Sequence, residues 1–187
     1  MTARPGLSAV TTPDQFRQVL GHFCTGVTVI TTIDDSGPAG FTCQSFAAVS
    51  LEPPLVLFCP SRSSATWRRI ERSRHFCANV LADEQRELAR VFASRAPGKF
   101  DGVGWSPSPS GSPLLDGALA WVDAVVETVH AAGDHHVVIG RVTGLGACSA
   151  GPPLLFYRGR YTVTETGGGP PEIVDTLLAW PRYADWI

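Results

Sequence analysis

The chain has 187 residues, 44% of them hydrophobic and 17% charged, with a formal net charge of −2. That length suits one domain rather than two with separate cores. With 15 basic against 17 acidic residues, there is no electrostatic case for nucleic acid or a charged membrane surface as partner.

Charged content lies below the ~25% usual in soluble domains, and mean hydropathy is slightly positive at +0.07. Apolar surface must therefore be hidden in a core, a subunit interface or both. Runs such as Leu55 to Cys59 fall far short of the ~20 residues that span a bilayer. The stretch Met1 to Thr12 lacks a basic patch followed by an apolar run, so no signal peptide is expected. The five cysteines (24, 43, 59, 77 and 148) are odd in number and contain no Cys-x-x-Cys. Free thiols in a reducing cytoplasm are expected, rather than a zinc ribbon or disulfide scaffold.

Residues 1–12 read as an N-terminal leader, 13–163 as the domain and 164–187 as a C-terminal extension. Thr12-Pro13-Asp14-Gln15 is a helix start: a hydroxyl cap, proline at the first position, Gln three residues after the cap. Phe16, Val19, Leu20 and Phe23 follow at helical spacing and predict one buried stripe, with Gly26 ending the helix. Val27 to Ile33 is rich in β-branched residues and predicts a strand. Asp34 to Gly37 is a turn, Ala39 to Cys43 a second strand, and Leu55 to Cys59 a third. A helix is expected over Ser64–Arg72, with Trp67 and Ile70 inward, then a strand over His75–Leu81.

Asp83, with Glu84 and Glu87 in the first turn, opens another helix carrying Leu88, Val91 and Phe92. Residues 94–113, rich in Ser, Pro and Gly, predict a functional surface loop. Ala118 to Ala131 reads as a long strand, Ala132-Gly133-Asp134 as a hairpin signal, and His136 to Leu145 as the return. Leu154 to Val163 reads as one final strand. Gly167 to Pro171 then detaches a segment ending in Trp180, Tyr183 and Trp186. Strands outnumber helices and do not alternate with them, which predicts a mainly β fold, a closed antiparallel β-barrel with flanking helices.

No Gly-x-Ser-x-Gly, GxGxxG or P-loop pattern occurs. His135 and His136 are adjacent on a strand and point to opposite faces, so they do not chelate one metal ion together. Cys59 to Trp67 carries a strand end into a helix start with four hydroxyls and Arg62. Free N–H groups and the helix dipole there suit a phosphate, although ordinary capping by Ser63 or Ser64 explains the same residues. Gly40 to Phe46 can present backbone groups, Gln44 and Ser45 to a planar heterocycle, or form only a bulged strand and turn. His135, lifted by the hairpin, can position a second ligand or simply be solvated.

Taken in order, these segments resemble the flavin reductase-like family. They are Phe16 to Thr32, Gly40 to Phe46, Val49 to Phe58, Phe76 to Leu81, Lys99-Phe100, Gly133-Asp134-His135 and Leu154 to Tyr161. Within it the chain is similar to actinobacterial reductases that serve aromatic-ring hydroxylases. The resemblance implies a split, Greek-key barrel and a homodimer with flavin near the subunit interface. It implies an NADH-dependent reductase of FAD or FMN, with FAD favoured. The diffusible reduced flavin would go to a separate monooxygenase acting on an aromatic substrate.

It also implies residue roles. Gly40, Phe41, Thr42, Gln44 and Ser45 would line the ring and ribityl chain. Cys59, Pro60, Ser61, Ser64 and Thr66 would take the phosphate. Phe92, Ala93, Ser94, Lys99 and Phe100 would close over it, and His135, Arg158, Gly159, Arg160 and Tyr161 would face the nicotinamide dinucleotide. Hydride transfer between stacked rings needs positioning rather than an acid–base pair. The alternatives are a pyridoxamine-phosphate-oxidase-like oxidase and a flavin-binding barrel without turnover.

Overall fold

A computed structural model describes residues 12–164. The leader before Thr12 and the C-terminal extension with Trp180, Tyr183 and Trp186 lie outside the described residues, apart from its first residue, Thr164.

Helix α1 (Pro13–Leu20) starts as its sequence dictates. Thr12 Oγ1 accepts from the Gln15 N–H at 3.2 Å, and Gln15 Oε1 accepts from the Thr12 N–H at 3.0 Å. It ends at Gly21, before the expected Gly26, which falls in the short strand β1 (Thr25–Gly26). The expected buried stripe is not buried within the chain. Phe16, Val19, Leu20 and Phe23 are between 51% and 74% exposed. Periodicity marks an apolar face, and no described element of the same chain covers this one.

Seven strands form one antiparallel sheet in the order β3-β2-β6-β9-β10-β5-β4. They are β2 (Thr28–Asp34), β3 (Gly37–Cys43), β4 (Ala47–Leu51), β5 (Pro54–Phe58), β6 (His75–Val80), β9 (Ala120–Ala132) and β10 (His135–Ala147). Strands β3 and β4 are consecutive in sequence yet occupy opposite ends of this order. Only Gln44, Ser45 and Phe46 join them, which allows at most roughly 14 Å of extended chain. The sheet therefore curls until its edges approach. No ladder joins β3 to β4 among the described residues, so pairing alone does not close the barrel.

The continuous β-branched run of β2 is explained by cores on both of its faces. Ile30 packs with Phe58, Trp67, Ile70, Phe76 and Val138 inside the curl. Val29 packs with Leu81, Phe92, Leu115 and Leu154 on the other side. Phe58 meets the ring of Phe76 edge-on at 4.8 Å and that of Trp67 at 6.2 Å. Each such fully buried side chain contributes about 1.5–3 kcal/mol of transfer free energy.

Helix α2 (Ala65–Ser73) is capped by Ser64 Oγ, which accepts from the Trp67 N–H at 3.2 Å, and buries Trp67 and Ile70 as expected. The helix expected from Asp83 is a 3-10 turn (Asp83–Gln85) running into α3 (Arg86–Ala93). Phe92 is fully buried there, while Val91 is exposed. The expected loop contains a small hairpin, β7 (Trp105–Pro107) with β8 (Pro113–Leu115). The single final strand is in fact a hairpin, β11 (Leu155–Tyr157) and β12 (Arg160–Thr162). Its two loop residues, Arg158 (φ 49°) and Gly159 (φ 78°), are both left-handed, which reverses the chain in two residues. Arginine seldom adopts that conformation, so Gly159 alone marked the turn in the sequence. All five cysteines are free thiols, and no described helix is long and apolar enough to cross a membrane.

Candidate functional site

A cavity of about 900 Å³ opens where β3, the start of α2, the end of α3 and the loop 94–101 meet. Gly40 is a tie point in its wall. Its carbonyl accepts from Thr66 Oγ1 at 3.3 Å and from Lys99 Nζ at 3.4 Å, tying α2 and the loop to the strand. Lys99 also donates to the Phe92 carbonyl at 2.9 Å, at the C-terminal end of α3 where the helix dipole favours a cation. Burial nevertheless lowers the Lys99 pKa below its ordinary value. Thr42 Oγ1 donates to the Ala89 carbonyl at 2.6 Å, joining β3 to α3 again.

One end of the cavity is the first turn of α2. Ser61 Oγ and Ser63 Oγ lie 2.9 Å apart. The Ser64 hydroxyl accepts the cap bond, which leaves its proton free to donate outward. The N–H groups of Ala65 and Thr66 have no partner among the described residues, as expected for the first turn of a helix. Donors and a positive dipole end are what a phosphate requires.

Arg69 lies one helical turn beyond Thr66 and also lines the cavity. Its Nε donates to Asp34 Oδ2 at 2.9 Å, and its remaining donors reach Asp34 Oδ1 and the carbonyls of Gly37 and Pro38. Hydrogen bonding to Arg69 lowers the Asp34 pKa, against the opposing effect of burial. Sequence reading missed Arg69; the three-residue spacing from Thr66 on a helix was the available signal. It also missed Arg95, while Ser63, read as one of the four hydroxyls or as a cap, lines the same cavity.

Of the ring and phosphate residues named from sequence, Gly40, Phe41, Thr42, Ser61, Ser64, Thr66, Phe92, Ala93, Ser94, Lys99 and Phe100 line this cavity together. Gln44, Ser45, Cys59 and Pro60 do not. Gln44 is exposed. Ser45 Oγ accepts from the Cys59 N–H at 2.9 Å, and the Pro60 carbonyl accepts from the His136 N–H at 3.0 Å. These three hold the seam between the β3–β4 link, the end of β5 and the β9–β10 hairpin.

The residues named for the dinucleotide fall in two places. His135 forms a backbone bridge with Ser61, at the cavity's rim, and its Nδ1 lies 2.8 Å from Asp134 Oδ1. That contact lowers the Asp134 pKa. Arg158, Arg160 and Tyr161, with Tyr157 and Thr162, line a separate recess of about 430 Å³ on the small sheet β1-β11-β12. No hydrogen bond among the described residues joins His135 to that recess.

The flavin reductase like domain matches residues 20–165. The chain is similar to the reductase subunit HsaB of a flavin-dependent monooxygenase from Rhodococcus jostii, 60% identical over 153 residues, covering 82% of this chain and 78% of that protein. Among solved structures it is similar to a nitrilotriacetate monooxygenase component B homologue from Mycobacterium thermoresistibile, 51% identical with a TM-score of 0.81, covering 88% of this chain and 93% of that one. It is similar also to the NADH:FAD oxidoreductase SgcE6 of Streptomyces globisporus in complex with NAD and FAD fragments, at 34% identity and a TM-score of 0.77, covering 89% and 99%. A mainly β chain carrying these segments and matched over this span belongs to the flavin reductase-like domain family.

Proposed function

We propose that this protein is the reductase component of a two-component flavin-dependent monooxygenase. It oxidises NADH, reduces FAD or FMN, and releases the reduced flavin to a separate oxygenase that hydroxylates an aromatic substrate. The observation that carries this reading is the cavity lined both by the donor-rich first turn of α2 and by β3. The similarity to HsaB, named as a reductase subunit, and to SgcE6, named as an NADH:FAD oxidoreductase, supports it.

The bound flavin supplies a ring that accepts a hydride from reduced nicotinamide. The chain's own work is positional. The Ala65 and Thr66 N–H groups and the Ser61, Ser63 and Ser64 hydroxyls hold the phosphate. Lys99 supplies a positive charge to this region, and Arg69, its charge offset by Asp34, braces the wall; each is anchored by neighbours so that little ordering remains to be done on binding. Gly40 to Thr42 and Phe100, which line the same cavity, would hold the ring. His135, one strand pair from Ser61, orients the nicotinamide. The modest number of charged contacts suits a protein that lets its product go.

The barrel reading includes closure at the β3–β4 seam, supported by the three-residue link and by Phe41 and Phe58 rings 6.1 Å apart across it. A homodimer is part of the same reading. The uncovered face of α1, together with Leu51, Val49 and Leu145, supplies the apolar surface that a second copy would cover. With all cysteines free, a reducing cytoplasm suits the chain.

Steady-state oxidation of NADH and NADPH with FAD, FMN and riboflavin tests the proposal. NADH consumption that depends on added flavin is expected. Tight flavin binding with no NADH consumption would leave a flavin-binding barrel without turnover, and consumption of pyridoxamine phosphate would leave the oxidase.

A further inference from the structure

Asp123, on β9, is completely buried and forms no ion pair among the described residues. A buried carboxylate is costly unless hydrogen bonds replace its water. Here every side-chain partner comes from the segment between β7 and β8. Oδ1 accepts from Ser108 Oγ at 2.9 Å and Ser110 Oγ at 2.7 Å, and Oδ2 accepts from the Ser110 N–H at 2.9 Å. The chain of hydroxyls continues from Ser110 to Ser112 at 3.1 Å and ends on His75 Nδ1 at 2.9 Å.

The same hairpin is pinned further along by Asn79. Its side chain donates to the Pro113 carbonyl at 3.2 Å and accepts from the Leu115 N–H at 2.8 Å. Strand β8 in turn pairs Leu115 with Trp105 of β7. Trp105 meets Phe100 edge-on at 6.4 Å, and Phe100 meets Phe92 at 5.0 Å. A continuous set of contacts thus runs from the buried carboxylate to the cavity wall that carries Lys99.

We infer that Asp123 is a positioning residue. Its carboxylate latches the β7–β8 hairpin in one placement, and through Trp105 and Phe100 that placement sets the wall of the binding cavity. An apolar residue at 123 could pack against the hairpin without selecting a register; a carboxylate whose three acceptor bonds all come from Ser108 and Ser110 accepts only one. This inference rests on the flavin reading only for the ligand that reports it.

The test compares Asp123→Asn, Ser108→Ala and Ser110→Ala with Glu127→Gln, an exposed β9 control. The asparagine removes the negative charge and gives the two serine hydroxyls an NH₂ in place of an acceptor oxygen, so they must turn from donating to accepting; this weakens the latch with almost no change in volume. Each variant is assayed well below its melting temperature in two ways. Limited trypsin digestion without flavin reads cleavage after Arg95 and Lys99, and flavin titration with steady-state kinetics reads Kd and KM. Asp123→Asn is expected to speed cleavage at those two sites and to raise flavin Kd about tenfold, with the serine variants shifting both less and NADH KM unmoved. A protein weakened only globally would show neither effect below its melting range. Native cleavage and native flavin affinity overturn the latch, as does faster cleavage with unchanged flavin affinity. If Asp123→Asn does not fold, the serine variants decide by the same two readings. Failure of the unaltered protein to bind flavin removes the flavin reading, while the cleavage result still judges the latch.

Discussion

A methyl group on Gly40 would sit 2.8 Å from Cε1 of Phe92 and 3.2 Å from the Ile30 carbonyl oxygen. Strand β3 and the last turn of α3 are therefore in contact through a position that tolerates no side chain. Gly40→Ala is expected to push the Phe92 ring toward the cavity and to cost about 1–3 kcal/mol of stability by overpacking. Flavin affinity should fall with it. Thermal melting and flavin titration on the same preparation check both. A melting temperature and affinity equal to the parent's would mean that the ring moves aside freely.

The first turn of α2 divides its hydroxyls between structure and ligand. Ser64 Oγ caps the helix through the Trp67 N–H, so Ser64→Ala loses about 1 kcal/mol of stability whatever binds. If its proton also reaches a phosphate, flavin binding loses a further ~1.5–3 kcal/mol. Thr66 donates to the Gly40 carbonyl instead, so Thr66→Val acts on the wall rather than on the phosphate. The expected pattern is that Ser64→Ala weakens FMN and spares riboflavin, whereas Thr66→Val affects both alike. Equal weakening of FMN and riboflavin by Ser64→Ala would place the phosphate elsewhere.

His135→Ala is expected to raise NADH KM or slow flavin reduction, with flavin affinity nearly intact. The backbone of His135 is bridged to that of Ser61, which lines the cavity, while the proposed flavin contacts come from β3, α2 and the 94–101 loop. A nicotinamide ring displaced by ~1 Å can lose about 100-fold in rate. Rapid-mixing reduction kinetics beside an equilibrium titration separate the two effects. Unchanged reduction kinetics would make His135 a solvated hairpin residue.

The Asp34–Arg69 pair predicts an acid-side loss. Asp34 has a folded-state pKa below the ordinary carboxylate value because Arg69 donates to it. A depressed carboxyl pKa contributes stability that is full above the unfolded value, near 4, and lost as pH falls through the lower folded value. Release of Arg69 also loosens the β2–β3 turn beside the cavity. Stability and flavin affinity should both decline at acid pH in the parent protein. In Asp34→Asn the pair's contribution is absent at neutral pH, and the decline is shallower. An identical acid profile in Asp34→Asn would assign the loss to other carboxylates.

Local chemistry was legible in the sequence, and long-range partnership was not. Thr12 with Gln15, and Ser64 with Trp67 and Ile70, could be read because a cap and its stripe lie within one or two turns. The donor-rich first turn of α2 was visible for the same reason. The α1 stripe was correctly seen as apolar, but periodicity does not say what covers it. Arg158 hid a hairpin because a non-glycine residue took the left-handed conformation. Asp123 gave no sign of its partners, which lie 13 and 15 residues away in a segment read as a functional surface loop. Arg69 was one turn from residues already singled out, and a helical projection would have found it.

Anaerobic rapid mixing of NADH with the protein and FAD or FMN, followed by flavin absorbance, tests the reductase reading most directly. The account predicts bleaching far faster than without protein, faster with NADH than with NADPH, and slowed by His135→Ala at saturating flavin. Flavin that binds in the cavity yet stays oxidised with either nicotinamide would contradict it.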